Sequence, residues 1–210
     1  MAVLVMVIGE SGSGKSTSLR NFKRGEVSVI NVAKKPLPFR STGINVANTD
    51  DYARILEFVS KAQAKSIVID DSTYLMTGEF MRTAKVNGFQ KFTDLAKNFY
   101  DLITTAQNLP DDRIVYFFGH IARDENGKEH FKSIGKLVDE KIVPEGLFTI
   151  VLKTAVQDGR YLFQTQTNGN DTAKSPMGMF GNAYIDNDLK AVDDTIREYY
   201  GMKADEFIEN

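Results

Sequence analysis

Ala2-Val-Leu-Val-Met-Val-Ile8-Gly9-Glu-Ser-Gly-Ser-Gly-Lys-Ser16 is the stretch that decides the fold class. Its first seven residues are all apolar and give way abruptly to a loop rich in glycine and serine. An apolar run of this length without alternation is what a strand buried on both faces of a parallel sheet requires. A short helical stretch is expected next, about Lys15 to Phe22, closed by Gly25. The pattern strand, glycine loop, helix then sets the question for the rest of the chain.

The loop satisfies G-x-x-x-x-G-K-[ST] over Gly9 to Ser16, and each fixed position has a chemical reason. Gly9, Gly12 and Gly14 permit backbone conformations that aim N–H groups at phosphate oxygens. The helix behind them is expected to add its N-terminal amides and dipole. Lys15 would place a positive charge on the β- and γ-phosphates, and Ser16 would offer a hydroxyl to Mg²⁺. Thr17 would reach a phosphate nearer the sugar. Glu10, Ser11 and Ser13 complete the loop. The site so defined is one for a nucleoside triphosphate.

Outward from that loop, Val27–Val32 reads as a second strand and Lys34–Arg40 as a loop broken by two prolines. Asp50 is expected to cap a helix carrying Tyr52, Ile55, Leu56 and Val59. Ser66–Asp70 reads as a buried strand, and Phe92 to Ala106 as an amphipathic helix. Arg113–Phe118 reads as a further strand ending at Gly119-His120. Two late strands, Ile142–Leu152 and Arg160–Thr165, flank the turn Gln157-Asp-Gly-Arg160 and suggest a hairpin. Strands alternating with helices give an α/β domain with a mainly parallel central sheet flanked by helices. No linker or repeat divides residues 1–210, so one domain is expected, with an acidic section at 186–210.

Ile67-Val-Ile-Asp70-Asp71 has the form of a Walker B strand. Asp70, the first acid after the apolar run, is the candidate partner of Ser16 on Mg²⁺. Asp71 either orients the attacking water or caps the following helix. His120 stands at a strand's carboxyl end, where ligands of open α/β sheets bind, and either senses the γ-phosphate or fills the loop. His130 lies in a charged, glycine-containing stretch and reads as a solvated loop or hairpin residue.

The 210 residues are 42% hydrophobic and 26% charged, which permits a substantial core and argues against disorder. Cysteine is absent, which excludes disulfides, Cys-ligated zinc and thiol nucleophiles. With a net charge of -2 the chain is not a generally basic nucleic-acid binder. The charge is uneven, however. From Asp186 onward there are eight acids against three bases, leaving +3 for the remainder. Lys128, Lys132, Lys136 and Lys141, preceded by Arg123, form a basic stretch almost cancelled by its own acids. It either tracks a nucleic-acid backbone or is ordinary solvated surface. The end, Asp205 to Asn210, either docks on a partner or frays. With no secretory or membrane-spanning segment in view, a cytoplasmic location is expected.

Taken in order, the Walker A start, Lys35-Pro-Leu-Pro-Phe39, Asp70-Asp71, Gly135-Lys136 and Asp171-Thr-Ala-Lys-Ser-Pro176 resemble the phage-encoded RecA-like P-loop ATPases. Some members of that group serve single-strand annealing or recombination. The resemblance implies ATP, Mg²⁺, single-stranded DNA as effector, and a homo-oligomeric ring or filament. It also implies a phage or host replication or recombination partner. In such assemblies a lysine or arginine commonly reaches the neighbour's γ-phosphate; Lys174, in the irregular 167–180 loop, is the first candidate and Arg160 the second, and otherwise Lys174 is a loop lysine with no such role. RecA-type enzymes carry a catalytic Glu after the second strand. Here Ala33-Lys34-Lys35 follows instead, which moves water activation to Asp71 or Glu10. The absence of N-K-x-D and L-S-G-G-Q disfavours a GTPase and a transporter ATPase. The shortage of lid arginines disfavours a phosphotransferase.

Overall fold

The computed structural model describes residues 1–41, 43–134 and 142–202. Among these residues ten strands and four α-helices follow one another: β1 (Val3–Ile8), β2 (Val27–Asn31), β3 (Asn45–Asn48), α1 (Tyr52–Lys61), β4 (Ser66–Asp70), α2 (Thr73–Arg82), α3 (Gln90–Gln107), β5 (Ile114–Gly119), β6 (Ile121–Arg123), β7 (Glu129–Phe131), β8 (Ile150–Gln157), β9 (Arg160–Gln164), β10 (Tyr184–Asp186) and α4 (Leu189–Tyr200). Eight strands form one sheet in the order β10-β9-β8-β1-β5-β4-β2-β3, and β6-β7 pair as a separate hairpin. The six strands from β8 to β3 are mutually parallel, whereas β9 is antiparallel to both β8 and β10. The chain is thus α/β, with a mainly parallel central sheet flanked by helices.

The unbroken apolar run of β1 follows from its central place. Leu4, Met6 and Ile8 face one core with Ile55, Val59, Leu75, Leu95, Phe99 and Phe117. Val5 and Val7 face the other with Leu19, Tyr116, Phe118, Leu189, Val192 and Ile196. Alternate residues therefore enter opposite layers, and no polar position is tolerated on either face. Helices α1, α2 and α3 cover the first face, and α4 with the short turn after β1 covers the second.

Three expectations are corrected. The cap of α1 is Asp51, whose carboxylate accepts from the Arg54 N–H at 2.9 Å; Asp50 instead binds Lys34 and Arg82. The strand expected at Ile142–Leu152 begins at Ile150, because Pro144–Leu147 forms a 3-10 turn. The stretch after the glycine loop is a six-residue 3-10 helix, Ser16–Asn21, so its dipole is that of about two turns. The β8–β9 hairpin is as expected. Asp158 and Gly159 both take positive φ, as a two-residue type I′ turn demands. Gly135, Lys136, Lys141 and the Asp205–Asn210 end lie outside the described residues. Among the described residues no helix is long and apolar enough to cross a membrane.

Candidate functional site

The strand order builds the site. The chain leaves β1 over one face of the sheet, where Leu19 and Phe22 pack, and leaves β5 over the other, where Phe131 and Phe148 pack. Adjacent carboxyl ends whose connections leave over opposite faces have a crevice between them. Here that crevice opens between the glycine loop after β1, the β4 end and the β5 end. A cleft of about 220 Å³ is lined there by residues from the loop (Gly12, Gly14, Lys15, Ser16), from the β4 end (Asp70, Asp71), and by His120 and Lys35. Sequence segments more than a hundred residues apart therefore converge on one space.

The loop holds its own shape. The Lys15 ammonium is almost fully buried and donates to the carbonyls of Gly9 and Glu10, each at 2.8 Å. Among the described residues its third donor has no protein acceptor. Burial pulls its pKa below the ordinary lysine value, against the attraction of Asp71, Asp70 and Glu10. Ser13 does not line the cleft. Its hydroxyl donates to the Glu10 carbonyl at 2.6 Å and lies 2.5 Å from Thr154 Oγ1, tying the loop to β8. Gly9 is required by that tie, since a Cβ there would lie 1.7 Å from Thr154 Oγ1. Gly14 takes φ +99°, and a Cβ would press on Tyr161 and Asn187. Ser11 and Thr17 line the cleft, whereas the Glu10 side chain turns outward to within 3.6 Å of Arg123.

The acidic wall divides its two members. Asp70 is buried and accepts from Ser16 Oγ at 3.0 Å. Desolvation, with the charge of Asp71 behind it, lifts its carboxyl to about 6. A buried carboxylate beside a serine hydroxyl, with no basic side chain bonded to it, suits a hard cation. Among the described residues no cluster of three or more acidic, histidine or cysteine side chains could enclose a metal alone. The remaining ligands of any cation at Ser16 and Asp70 would therefore come from a bound anion and water. That division of labour is typical of Mg²⁺ held on phosphates.

Asp71 adopts a left-handed backbone, φ +60°, which is costly for a residue with a Cβ. The conformation turns its carboxylate into the cleft, where Lys35 Nζ lies 3.1 Å from Oδ2 and His120 Nε2 3.4 Å from Oδ1. Burial pushes the Asp71 carboxyl up, but His120 and Lys35 outweigh it and hold the pKa below the ordinary value. The His120 contact is long, and Nε2 makes no well-formed hydrogen bond. The ring is instead positioned by an edge contact with Tyr74 and by its own backbone N–H donating to Thr73 Oγ1 at 3.0 Å.

Lys174 is not brought to this cleft by its own chain. Its backbone pairs with Val151, whose partner on β1 is Met6, two residues short of the loop. Arg160 is at the hairpin end and pairs with Asp186 at 3.2 Å. His130 is a hairpin residue on β7, as expected. Of the basic stretch, Arg123 is paired with Glu129 at 2.7 Å.

Sequence reasoning missed Lys35, which lines the cleft, and Asn187, which lies against the loop. Lys35 is visible there only as part of a proline-flanked motif. Asn187, after β10, is buried against Gly14, and neither amide atom has a hydrogen-bond partner. No local pattern marks it, since only the folding of β10 beside the loop brings it there. No protein-family model matches the chain, and no curated protein matches it in sequence.

Proposed function

We propose that the chain is a P-loop ATPase of RecA-like type that binds MgATP and hydrolyses it by in-line attack of water. The observation that carries this reading is the convergence on one cleft of the glycine loop, Lys15, and the Ser16–Asp70 pair at 3.0 Å. Loop N–H groups and the free donor of Lys15 would hold the β- and γ-phosphates. Ser16 and Asp70 would hold Mg²⁺, which when bound supplies charge neutralisation across the β- and γ-phosphate oxygens. Water oxygen bonds to the γ-phosphorus as the bridging P–O bond breaks, the electron pair leaves on the β-phosphate of ADP, and the water's proton passes to an oxygen of the released phosphate. Asp71 faces the cleft where it could orient that water, with His120 beside it.

The action on single-stranded DNA in phage recombination or replication, and assembly into a ring or filament, rest on the resemblance. A second reading, a nucleotide-gated DNA-binding or scaffold protein with little turnover, is favoured by one feature. The β2 end carries Asn31 rather than a carboxylate, and its amide donates to the Lys35 carbonyl at 2.6 Å.

Phosphate release measured with and without single-stranded DNA separates these readings. DNA-stimulated release that disappears in Lys15→Ala is the expected result. Tight MgATP binding with no turnover under either condition would establish the second reading. Absence of nucleotide binding would overturn both.

A further inference from the structure

The Lys35-Pro-Leu-Pro-Phe39 segment is the motif that the phosphate loop and the acidic strand do not account for. It also lines the cleft, where Lys35, Pro36, Leu37 and Pro38 share the space with Gly12, Lys15 and Ser16. Its backbone is pinned at several points. Asn31 Nδ2 donates to the Lys35 carbonyl at 2.6 Å, and Lys34 N–H donates to the Asn31 carbonyl at 3.3 Å. Lys34 is held in a left-handed conformation, φ +57°, and its ammonium pairs with Asp50 at 2.7 Å. Asp50 is in turn bound by Arg82 at 2.6 Å. Two prolines further restrict the segment.

The Lys35 side chain is by contrast largely in solvent, 62% exposed. Its ammonium makes one hydrogen bond, to Asp71 at 3.1 Å, and lies 5.3 Å from the centre of the Tyr74 ring. Two of its three donors therefore remain for a ligand. Lys15 and Lys35 also repel one another across the cleft. An anion between them would turn that repulsion into shared attraction. Among the described residues no arginine lines the cleft, so Lys35 is the one long cation there besides Lys15. Phosphoryl transfer spreads negative charge over the γ-phosphate oxygens, and a cation placed on them stabilises that charge.

Resting on the ATPase reading above, we infer that Lys35 is a γ-phosphate-binding catalytic residue, acting within its own chain. It rests on Asp71 in the free protein and bonds the terminal phosphate when a nucleoside triphosphate enters. The pinned backbone lets the side chain move without moving the wall. The exchange also withdraws the ammonium from Asp71, leaving that carboxylate to face the attacking water. A diphosphate, lacking the terminal group, would leave Lys35 where it is.

That difference supplies the test. Calorimetric titration of MgATP and MgADP into wild type, Lys35→Ala and Lys35→Arg reads the γ-phosphate contact directly. The expected result is a loss of about tenfold or more in MgATP affinity for Lys35→Ala, with MgADP affinity changed less than about twofold. Lys35→Arg should recover part of the preference for the triphosphate. Equal weakening of both nucleotides, or of neither, would overturn the inference while leaving the phosphate loop intact. Failure of the wild type to bind either nucleotide would instead overturn the ATPase reading beneath it.

Discussion

Replacing Asp70 with asparagine should stabilise the ligand-free fold while ending the Mg²⁺-dependent ATP binding proposed above. Burial and the neighbouring Asp71 lift the Asp70 carboxyl from its ordinary 3.8 to about 6. A rise of about two units corresponds to about 3 kcal/mol of folding free energy forfeited at neutral pH. Asparagine keeps an acceptor for Ser16 Oγ but brings a buried amide N–H₂ that needs acceptors of its own. The net gain is therefore about 1–3 kcal/mol, or about 2–12 °C in Tm for a chain of this size. The sign depends on pH. Between about pH 4 and 6 the folded wild type retains a proton that the unfolded chain releases, so its stability falls as pH rises through that window. The Asp70→Asn variant lacks this loss, so its stability relative to wild type should rise by about 3 kcal/mol between about pH 4 and pH 7, from parity or a deficit set by the amide to the net gain. Urea denaturation without nucleotide, repeated across that range, measures it. A variant less stable than wild type at neutral pH, or a gap independent of pH, would refute the reasoning. In the same variant, Mg²⁺-dependent ATP binding or turnover should disappear.

Two further outcomes follow from packing. Gly9→Ala would drive a Cβ against Thr154 Oγ1, costing about 1–3 kcal/mol and weakening nucleotide binding; adding Thr154→Ala should restore part of the stability, as a double-mutant cycle would show. Asp193 accepts from Ser66 Oγ at 2.6 Å, Tyr116 Oη at 2.8 Å and Arg197 Nε at 2.7 Å, so Asp193→Ala strands a buried guanidinium and should cost about 3–5 kcal/mol by urea denaturation. Combining it with Arg197→Met should recover much of that loss.

The parts of the site legible in the sequence are those fixed by local chemistry. A glycine loop must follow a strand end directly, so Gly9 to Thr17 can be read as one string. The acid after Ile67-Val-Ile69 marks a strand end in the same way. The 3-10 turn at Ser16–Asn21 is not legible, because apolar spacing over six residues does not distinguish it from an α-turn. The start of β8 is misread because Ile142, Val143, Leu147 and Phe148 are apolar like the strand that follows, while Pro144-Glu145-Gly146 sets a tight turn among them. Asp50 and Asp51 are equally good caps on paper. What separates them is the pull of Lys34 and Arg82, one from the β2–β3 connection and one from α2.

The sequence by itself determined the class of fold and the place of its first loop directly after a buried strand. Both depend on residues within a few positions of one another, where backbone freedom and apolar burial act directly. Only the tertiary structure decided which distant groups share the cleft. The insertion of β5 between β1 and β4 sets His120 beside the loop, and the left-handed turn at Asp71 carries its carboxylate to Lys35. Those meetings depend on strand order and on a single backbone rotation, neither of which leaves a periodic mark in the chain.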